Sequence, residues 1–96
     1  MAAVNLSLQV IPQGVGERGY AVVDQVIAHI AATGLKYVVG PMETTIEGEL
    51  DQLLEIVSEA QNICVREGAA RVLSVVKIDY KPDGVTIDEK IAKYRR

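Results

Sequence analysis

The stretch between two helical segments decides the fold: residues 34–49 read GLKYVVGPMETTIEGE. The Gly40-Pro41 pair in its middle is typical of a tight turn, because proline fixes its own backbone angle and glycine accepts conformations that other residues avoid. On either side lie Leu35–Val39 and Met42–Glu47, two short runs with β-branched residues, which favour extended strands. This pattern predicts a β-hairpin.

An amphipathic helix is predicted on each side of the hairpin. Tyr20–Thr33 places apolar side chains at the i, i+3, i+4 and i+7 positions of one helix face, and Gly34 follows as a stop. Glu49–Arg66 has the same spacing, with acidic residues in its first turn and Gly68 after its end. Both segments are therefore expected to pack one face against a core.

Strands are predicted outside the two helices as well. Val4–Ile11 alternates polar and apolar residues, which indicates a half-buried strand, and Pro12 is expected to end it. A glycine-rich loop, Gln13–Gly19, leads into the first helix. Arg71–Tyr80 is a long strand rich in valine and isoleucine, and Asp88–Tyr94 is a short, charged final helix.

This order of elements predicts a ferredoxin-like α+β sandwich in a single domain, residues 1–96. In a βαββαβ chain, right-handed crossovers place both long helices on one face of a four-stranded antiparallel sheet, and the short C-terminal helix follows. The first and third strands are central, and the opposite face is expected to be uncovered. The fourth strand is then a Val-rich edge, interrupted by Lys77, so the chain is expected to form homo-oligomers through sheet edges or faces.

Composition excludes several classes of protein. The chain has 96 residues, 49% of them hydrophobic, and a net charge of −3, which together favour a folded domain over disorder. No apolar run approaches the ~20 residues that span a bilayer. The mild acidity and the lack of aromatic residues on the predicted central strands argue against nucleic-acid binding. A single cysteine, Cys64, and an N-terminus without a basic leader favour a cytoplasmic location.

One glycine-rich motif resembles a nucleotide-binding fingerprint. Residues 14–19 match G-x-G-x-x-G, between a strand and a helix. However, Pro12 and Gln13 separate the strand from the glycines, Glu17 would repel a pyrophosphate, and the next strand enters a hairpin instead of a crossover. We therefore expect a flexible loop that leads into the helix, and no nucleotide site.

The chain offers little for catalysis or for a metal. His29 is the only histidine and lies beside the apolar stripe of the first helix, while Cys64 lies on the stripe of the second. A nucleophile–base pair would need both side chains in one cleft, and zinc would need a cluster of ligands. We therefore predict a protein that is not an enzyme, with no metal and no cofactor.

The hairpin carries polar groups that suit a flat ligand. Tyr37, Met42, Thr44, Thr45 and Glu47 combine hydroxyls and a carboxylate with a polarizable thioether. From the residues alone, an ordinary hairpin with surface threonines and a surface glutamate is the favoured interpretation. Strand parity adds a constraint, because Thr44 and Glu47 lie on opposite faces of a regular strand. A shared site requires either a bulge near Glu47 or a subunit interface that uses both faces.

Residues 34–49 resemble the signature of the small thiamine-binding protein family. The similarity extends in order over nearly the whole chain, including Ser7–Pro12, Tyr20 and Lys77–Asp79, although Glu43 stands where a small residue is common in the family. The resemblance implies a ferredoxin-like protein that forms dimers or tetramers. It also implies non-enzymatic binding of thiamine or its hydroxymethylpyrimidine half, as a carrier, buffer or sensor.

The ligand-binding residues that this resemblance and the hairpin suggest are Ser7, Tyr37, Met42, Thr44, Thr45 and Glu47. Glu47 could accept hydrogen bonds from the aminopyrimidine edge, the two threonines could contact the amine or a ring nitrogen, and Tyr37 or Met42 could contact the ring face. The alternative is a ferredoxin-like regulatory or interaction module that binds another metabolite or only assembles through its sheet edge.

Overall fold

The computed structural model describes residues 3–95, which contain four strands and three α-helices. The strands are β1 (Val4–Gln13), β2 (Lys36–Val39), β3 (Thr44–Gly48) and β4 (Arg71–Asp79). The helices are α1 (Gly19–Ala32), α2 (Leu50–Arg66) and α3 (Ile87–Ile91). The sheet is antiparallel in the order β2-β3-β1-β4. The predicted ferredoxin-like α+β class is confirmed, with β1 and β3 central and β2 and β4 at the edges.

Strand β1 continues two residues beyond the predicted end, and Pro12 lies within it, opposite Val72 of β4. The pairing of β1 with β3 ends at Leu8, so the last part of β1 has β4 as its only strand neighbour within residues 3–95. The Gln13 carbonyl points toward β4, since it accepts a hydrogen bond from the Ala70 N–H (2.9 Å). Backbone groups of successive residues point to alternate sides of a strand, so the Pro12 nitrogen points away from β4. A proline is tolerated there because no ladder hydrogen bond is lost.

The loop that follows β1 contains a short 3₁₀ turn, Gly16–Arg18, where the sequence predicted a loop alone. Gly14 and Gly16 adopt φ angles of 82° and 56°, which L-residues with a side chain rarely adopt. Arg18 fastens this loop to the end of α2, because its Nη1 donates to the Glu67 carbonyl at 2.8 Å. The motif thus serves the connection between β1 and α1.

The core lies between the sheet and the pair α1 and α2. Leu6 of β1 and Ile46 of β3 are fully buried against Ile30 of α1 and Leu53 of α2. Cys64 belongs to the same cluster, so the prediction that it is a small core residue is confirmed. No helix within residues 3–95 is long and apolar enough to cross a membrane.

The opposite face of the sheet is not fully uncovered, and this differs from the prediction. The C-terminal segment returns over one end of that face, where Val85 and Ile87 are buried. The Val85 N–H donates to the Ala3 carbonyl at 3.0 Å, and Thr86 caps α3 in a reciprocal capping box with Glu89. Periodicity predicted a short helix here but carried no information about where it packs.

Candidate functional site

The face opposite α1 and α2 is lined by polar side chains. The register places Ser7 of β1 between Thr45 of β3 and Lys77 of β4, and it places Asn5 between Glu47 and Asp79. Neighbouring residues of a strand point to opposite faces, and Leu6 and Ile46 point into the core. Ser7, Thr45 and Lys77 therefore form a polar row across the three strands.

At one end of this face, charged groups hold α3. The Glu47 carboxylate accepts a hydrogen bond from the Ile87 N–H (2.7 Å), and Asp79 pairs with Lys90. Asn5 is buried and, with its amide turned to satisfy both neighbours, donates to the Val85 carbonyl (3.2 Å) and accepts from Lys90 (3.1 Å). Burying this polar group costs little, because both ends of the amide have partners.

A groove lies on the same face, between the hairpin turn and α3. Its volume is about 580 Å³, within the range of small-molecule sites. The hairpin and the polar row provide Ser7, Met42, Glu43, Thr45 and Lys77 to its walls. The C-terminal segment provides Ile87, Lys90, Ile91 and Arg95. The groove therefore combines hydroxyl and charged groups with aliphatic surface.

The Glu43 carboxylate lies over the polar row, at the hairpin end of the groove. Its carboxylate accepts a hydrogen bond from the Ser7 hydroxyl (3.2 Å) and another from Lys77 Nζ (3.1 Å). The hydrogen bond from Lys77 is the main reason that the pKa of Glu43 is lowered, and desolvation opposes it more weakly. Glu43 is thus a carboxylate at neutral pH and acts as an acceptor.

The structure brings together three of the six predicted site residues. Ser7, Met42 and Thr45 line the groove. Glu47 lies on the same face but is engaged with α3, and Tyr37 and Thr44 lie on the side that faces the helices. The pairing of β3 with β1 is regular from Thr44 to Gly48, without a bulge. Of the two explanations for the parity of Thr44 and Glu47, the bulge is thereby excluded.

A second cleft lies on the other side of the hairpin. It has a volume of about 530 Å³, between α1 and the strand ends, and Thr44 and Met42 line it together with Tyr20 and Val39. Thr44 is buried there. Met42 lines both cavities, so the hairpin turn separates the groove from this cleft.

Cys64, the single cysteine, does not line the groove or the second cleft. It is buried in α2, and burial raises the pKa of its thiol, which keeps it protonated at neutral pH. Within residues 3–95, no three His, Cys, Asp or Glu side chains are grouped closely enough to hold a metal ion.

Sequence reasoning missed Lys77 as a member of the groove, and it noted Glu43 only as an acidic departure from the family pattern at the pocket rim. The sequence did contain a signal for Lys77. In the predicted strand order the first strand lies beside the fourth, so a residue of the fourth strand must lie next to Ser7 on the same face of the sheet. Glu43 precedes β3, and no strand pattern places its side chain. The Gly40 N–H donates to its carbonyl (2.8 Å) and so fixes the turn that aims the carboxylate over Ser7.

Comparison with known proteins shows which family the chain belongs to. The family model of the thiamine-binding protein matches residues 6–95. The chain belongs to the thiamine-binding protein family. The resemblance found in residues 34–49 is thereby confirmed over nearly the full length.

Relatives of this thiamine-binding family member span its whole length. The UPF0045 protein of Clostridium perfringens is 59% identical over 95 residues, covering 99% of this chain and 100% of that protein. The structure of a Thermotoga maritima protein, provisionally assigned to thiamine biosynthesis or salvage, superposes with a TM-score of 0.89 at 39% identity, covering 97% of this chain and 99% of that one. A Bacillus cereus domain of unknown function, DUF77, gives a TM-score of 0.92 at 49% identity, covering 98% and 91%.

Proposed function

We propose that this protein binds thiamine, or its hydroxymethylpyrimidine half, non-covalently in the groove of the polar face. The observation that carries the proposal is the convergence of Ser7, Thr45 and Met42 on one groove of suitable volume in a chain of the thiamine-binding family. The similarity to the Thermotoga maritima protein supports the same class of ligand.

The chemistry of the groove suits an aminopyrimidine. Such a ring is flat, with an amine that donates hydrogen bonds and ring nitrogens that accept them. The hydroxyls of Ser7 and Thr45 can donate or accept, and the thioether of Met42 offers a polarizable surface for the ring face. The net charge of −3 is compatible with a cationic thiazolium outside the groove.

Tyr37, Thr44 and Glu47 remain predicted ligand contacts. In one chain they do not meet the groove, since Tyr37 and Thr44 lie on the helix side of the sheet and Glu47 holds α3. Participation of Tyr37 and Thr44 would require a second copy that brings its helix side, or the second cleft, to the groove, and Glu47 would have to meet a ligand held between two copies. We therefore propose a site completed at a subunit interface.

A homo-oligomer is part of this proposal. The edge strand β4 exposes Leu73, Val75 and Ile78 by 44–52% of their areas, and an apolar edge with unpaired backbone groups favours pairing with another chain. Sedimentation equilibrium tests this state, and we expect a dimer or tetramer at micromolar concentration. A Val75→Lys variant should shift the distribution toward monomer, and a wild type that stays monomeric throughout would refute this part.

We propose binding without catalysis, as a carrier, buffer or sensor in the cytoplasm. Cys64 is buried with a raised thiol pKa, so it is a poor nucleophile. Mass spectrometry of thiamine after prolonged incubation with the protein should recover it unchanged, and turnover that scales with protein concentration would overturn this reading. Fractionation of cells that produce the protein tests the location, which rests on the sequence expectation alone.

Titration calorimetry tests the binding proposal. Thiamine and hydroxymethylpyrimidine should both release heat, whereas the thiazole half alone should bind much more weakly, because the groove chemistry is matched to the pyrimidine. A Thr45→Val variant should bind with about 2- to 10-fold lower affinity, which corresponds to the loss of one hydrogen bond of about 0.5–1.5 kcal/mol. No heat from either pyrimidine ligand, with protein shown to be folded, would overturn the proposal.

The alternative class is a regulatory or interaction module, which the exposed edge of β4 favours. A thermal-shift screen of metabolites separates the two. Stabilisation by thiamine compounds supports the thiamine-binding reading, and stabilisation by an unrelated metabolite alone supports the alternative.

A further inference from the structure

The Glu43–Lys77 pair places an acceptor and a donor side by side at the hairpin end of the groove. Glu43 Oε1 is 3.1 Å from Lys77 Nζ, and Glu43 Oε2 is 3.2 Å from the Ser7 hydroxyl. The carboxylate is partly exposed, and both charged residues line the groove. A bound molecule can therefore reach both groups at once.

Neither charged group is saturated by the contacts within residues 3–95. An ionised carboxylate has about four acceptor sites, and the Ser7 hydroxyl and Lys77 occupy two of them. An ammonium has about three donor protons, and Glu43 takes one of Lys77's. The remaining sites can serve a ligand without breaking the pair.

We propose that the Glu43–Lys77 pair is the recognition element of the groove and that it selects pyrimidines with a 4-amino group over their 4-oxo counterparts. This inference rests on the proposed function and deepens it. The 4-amino edge presents a donor amine beside an acceptor ring nitrogen, which complements a carboxylate beside an ammonium. A 4-oxo ring presents an acceptor oxygen beside a donor ring N–H, which is the reverse order. To pair with the same carboxylate and ammonium the ring must turn over, and its 5-substituent then lies on the opposite side.

The other carboxylates of this face have different tasks. Glu47 accepts from the Ile87 N–H at 2.7 Å and does not line the groove. Asp79 does line it, but it pairs with Lys90 of α3, which also donates to the Asn5 amide, so this pair holds the C-terminal segment in place. Glu43 contacts Ser7 and Lys77, which themselves line the groove. Recognition by a carboxylate is selective, because a ligand that presents an acceptor to it makes no hydrogen bond and brings two electronegative oxygens together.

Calorimetry with hydroxymethylpyrimidine and its 4-oxo counterpart tests the inference. The wild type should bind the amino compound about 10- to 100-fold more tightly, as expected for hydrogen bonds to charged groups. In Glu43→Gln the ratio should fall to within about 3-fold, since a neutral amide can present either an acceptor or a donor. Glu55→Gln, an exposed change on α2, is the matched control and should keep the wild-type ratio.

Failure of the inference differs from failure of the proposed function. If Glu43→Gln keeps both the affinity and the preference of the wild type, the pair is not the recognition element, while thiamine binding stands. If the wild type binds neither pyrimidine, the proposed function and the inference both fall. Should Glu43→Gln fail to fold, Glu43→Asp decides: its shortened carboxylate should reduce the preference at least about 3-fold, and an unchanged preference would overturn the inference.

Discussion

The two faces of the sheet differ in composition, one aliphatic and one polar, although the same strands contribute to both. On the helix side, Leu6 and Ile46 are completely buried in an aliphatic core. On the other side, Ser7, Thr45 and Lys77 form a polar row. The core side needs volume and shape, whereas the polar side needs partners for each hydrogen-bonding group. Stability is therefore concentrated on one face, and the proposed ligand site lies on the other.

The polar face itself divides into a fastened end and an open end. At the fastened end, Asn5, Glu47 and Asp79 engage the C-terminal segment. At the open end, Glu43 and Lys77 engage each other above Ser7 and leave a groove. The two ends differ in what their carboxylates contact: Glu47 and Asp79 are engaged by the C-terminal segment, whereas Glu43 contacts only Ser7 and Lys77 of the sheet within residues 3–95.

The largest expected effect separates the two faces within one strand. Ile46→Ala removes a fully buried side chain, so the free energy of unfolding should fall by about 2–5 kcal/mol. Its neighbour Thr45 points to the groove, so Thr45→Val should change the free energy of unfolding by about 0.5 kcal/mol or less. Urea denaturation monitored by circular dichroism measures both changes.

The same pair of variants should behave in reverse for ligand affinity. Folded Ile46→Ala should bind thiamine as the wild type does, whereas Thr45→Val should bind more weakly. If Ile46→Ala is too unstable, Ile46→Val serves, with an expected loss of about 0.5–1.5 kcal/mol. Equal losses of stability and affinity in both variants would contradict the division between the faces.

The second prediction concerns the fastened end. Glu47→Ala removes the acceptor of the Ile87 N–H, so the local stability of α3 should fall by about 1–3 kcal/mol. Hydrogen exchange of residues 85–92 should speed up by about 5- to 150-fold, while exchange in α2 stays unchanged. Glu55→Ala, at an exposed position within α2, is the control. Unchanged exchange in α3 would show that Glu47 does not hold it.

Glu47 also stays a predicted ligand contact, and the milder Glu47→Gln variant tests that role. An amide oxygen can still accept from the Ile87 N–H, so α3 should remain in place. If Glu47 also meets the ligand across a subunit interface, affinity for thiamine should fall by about 1–3 kcal/mol. Wild-type affinity in Glu47→Gln would remove Glu47 from the site.

The smallest expected effect is the pH dependence of the open end. The pKa of Glu43 in the folded protein lies below its ordinary value of 4.5, mainly because Lys77 donates to it. Its contribution to stability is therefore present above pH 4.5 and is lost as the pH falls through the lowered value. Thermal melting of the wild type and Glu43→Gln should differ at neutral pH and converge below that range. A difference that stays constant down to pH 3 would contradict the assigned pair.

Much of the fold could be predicted from local patterns. The alternation of Val4–Ile11, the helical spacing of Glu49–Arg66 and the Gly40-Pro41 turn each indicate their element, and together they determine the ferredoxin-like order. The end of β1 could not be predicted, because whether Pro12 is tolerated depends on which strands flank it. The packing of α3 depends on contacts with Glu47 and Asp79, which no periodicity encodes.

The candidate site was also predictable only where local patterns indicate it. Ser7, Met42 and Thr45 were found through the hairpin and the resemblance, and the structure brings them to one groove. Lys77 reaches the groove through strand register, and Glu43 reaches it through the geometry of a turn. Such long-range placements require the tertiary structure, because the residues involved are 34 and 36 positions apart in the chain.

A crystal structure of the protein with bound hydroxymethylpyrimidine would test the proposed site in a single measurement, because it shows the ligand, the groove and any partner chain together. The ring should lie in the groove of the polar face, with its amine at the Glu43 carboxylate and its edge near Ser7 and Thr45. A ring seated in the cleft between α1 and the hairpin, or crystals that remain without ligand at saturating concentration, would contradict it.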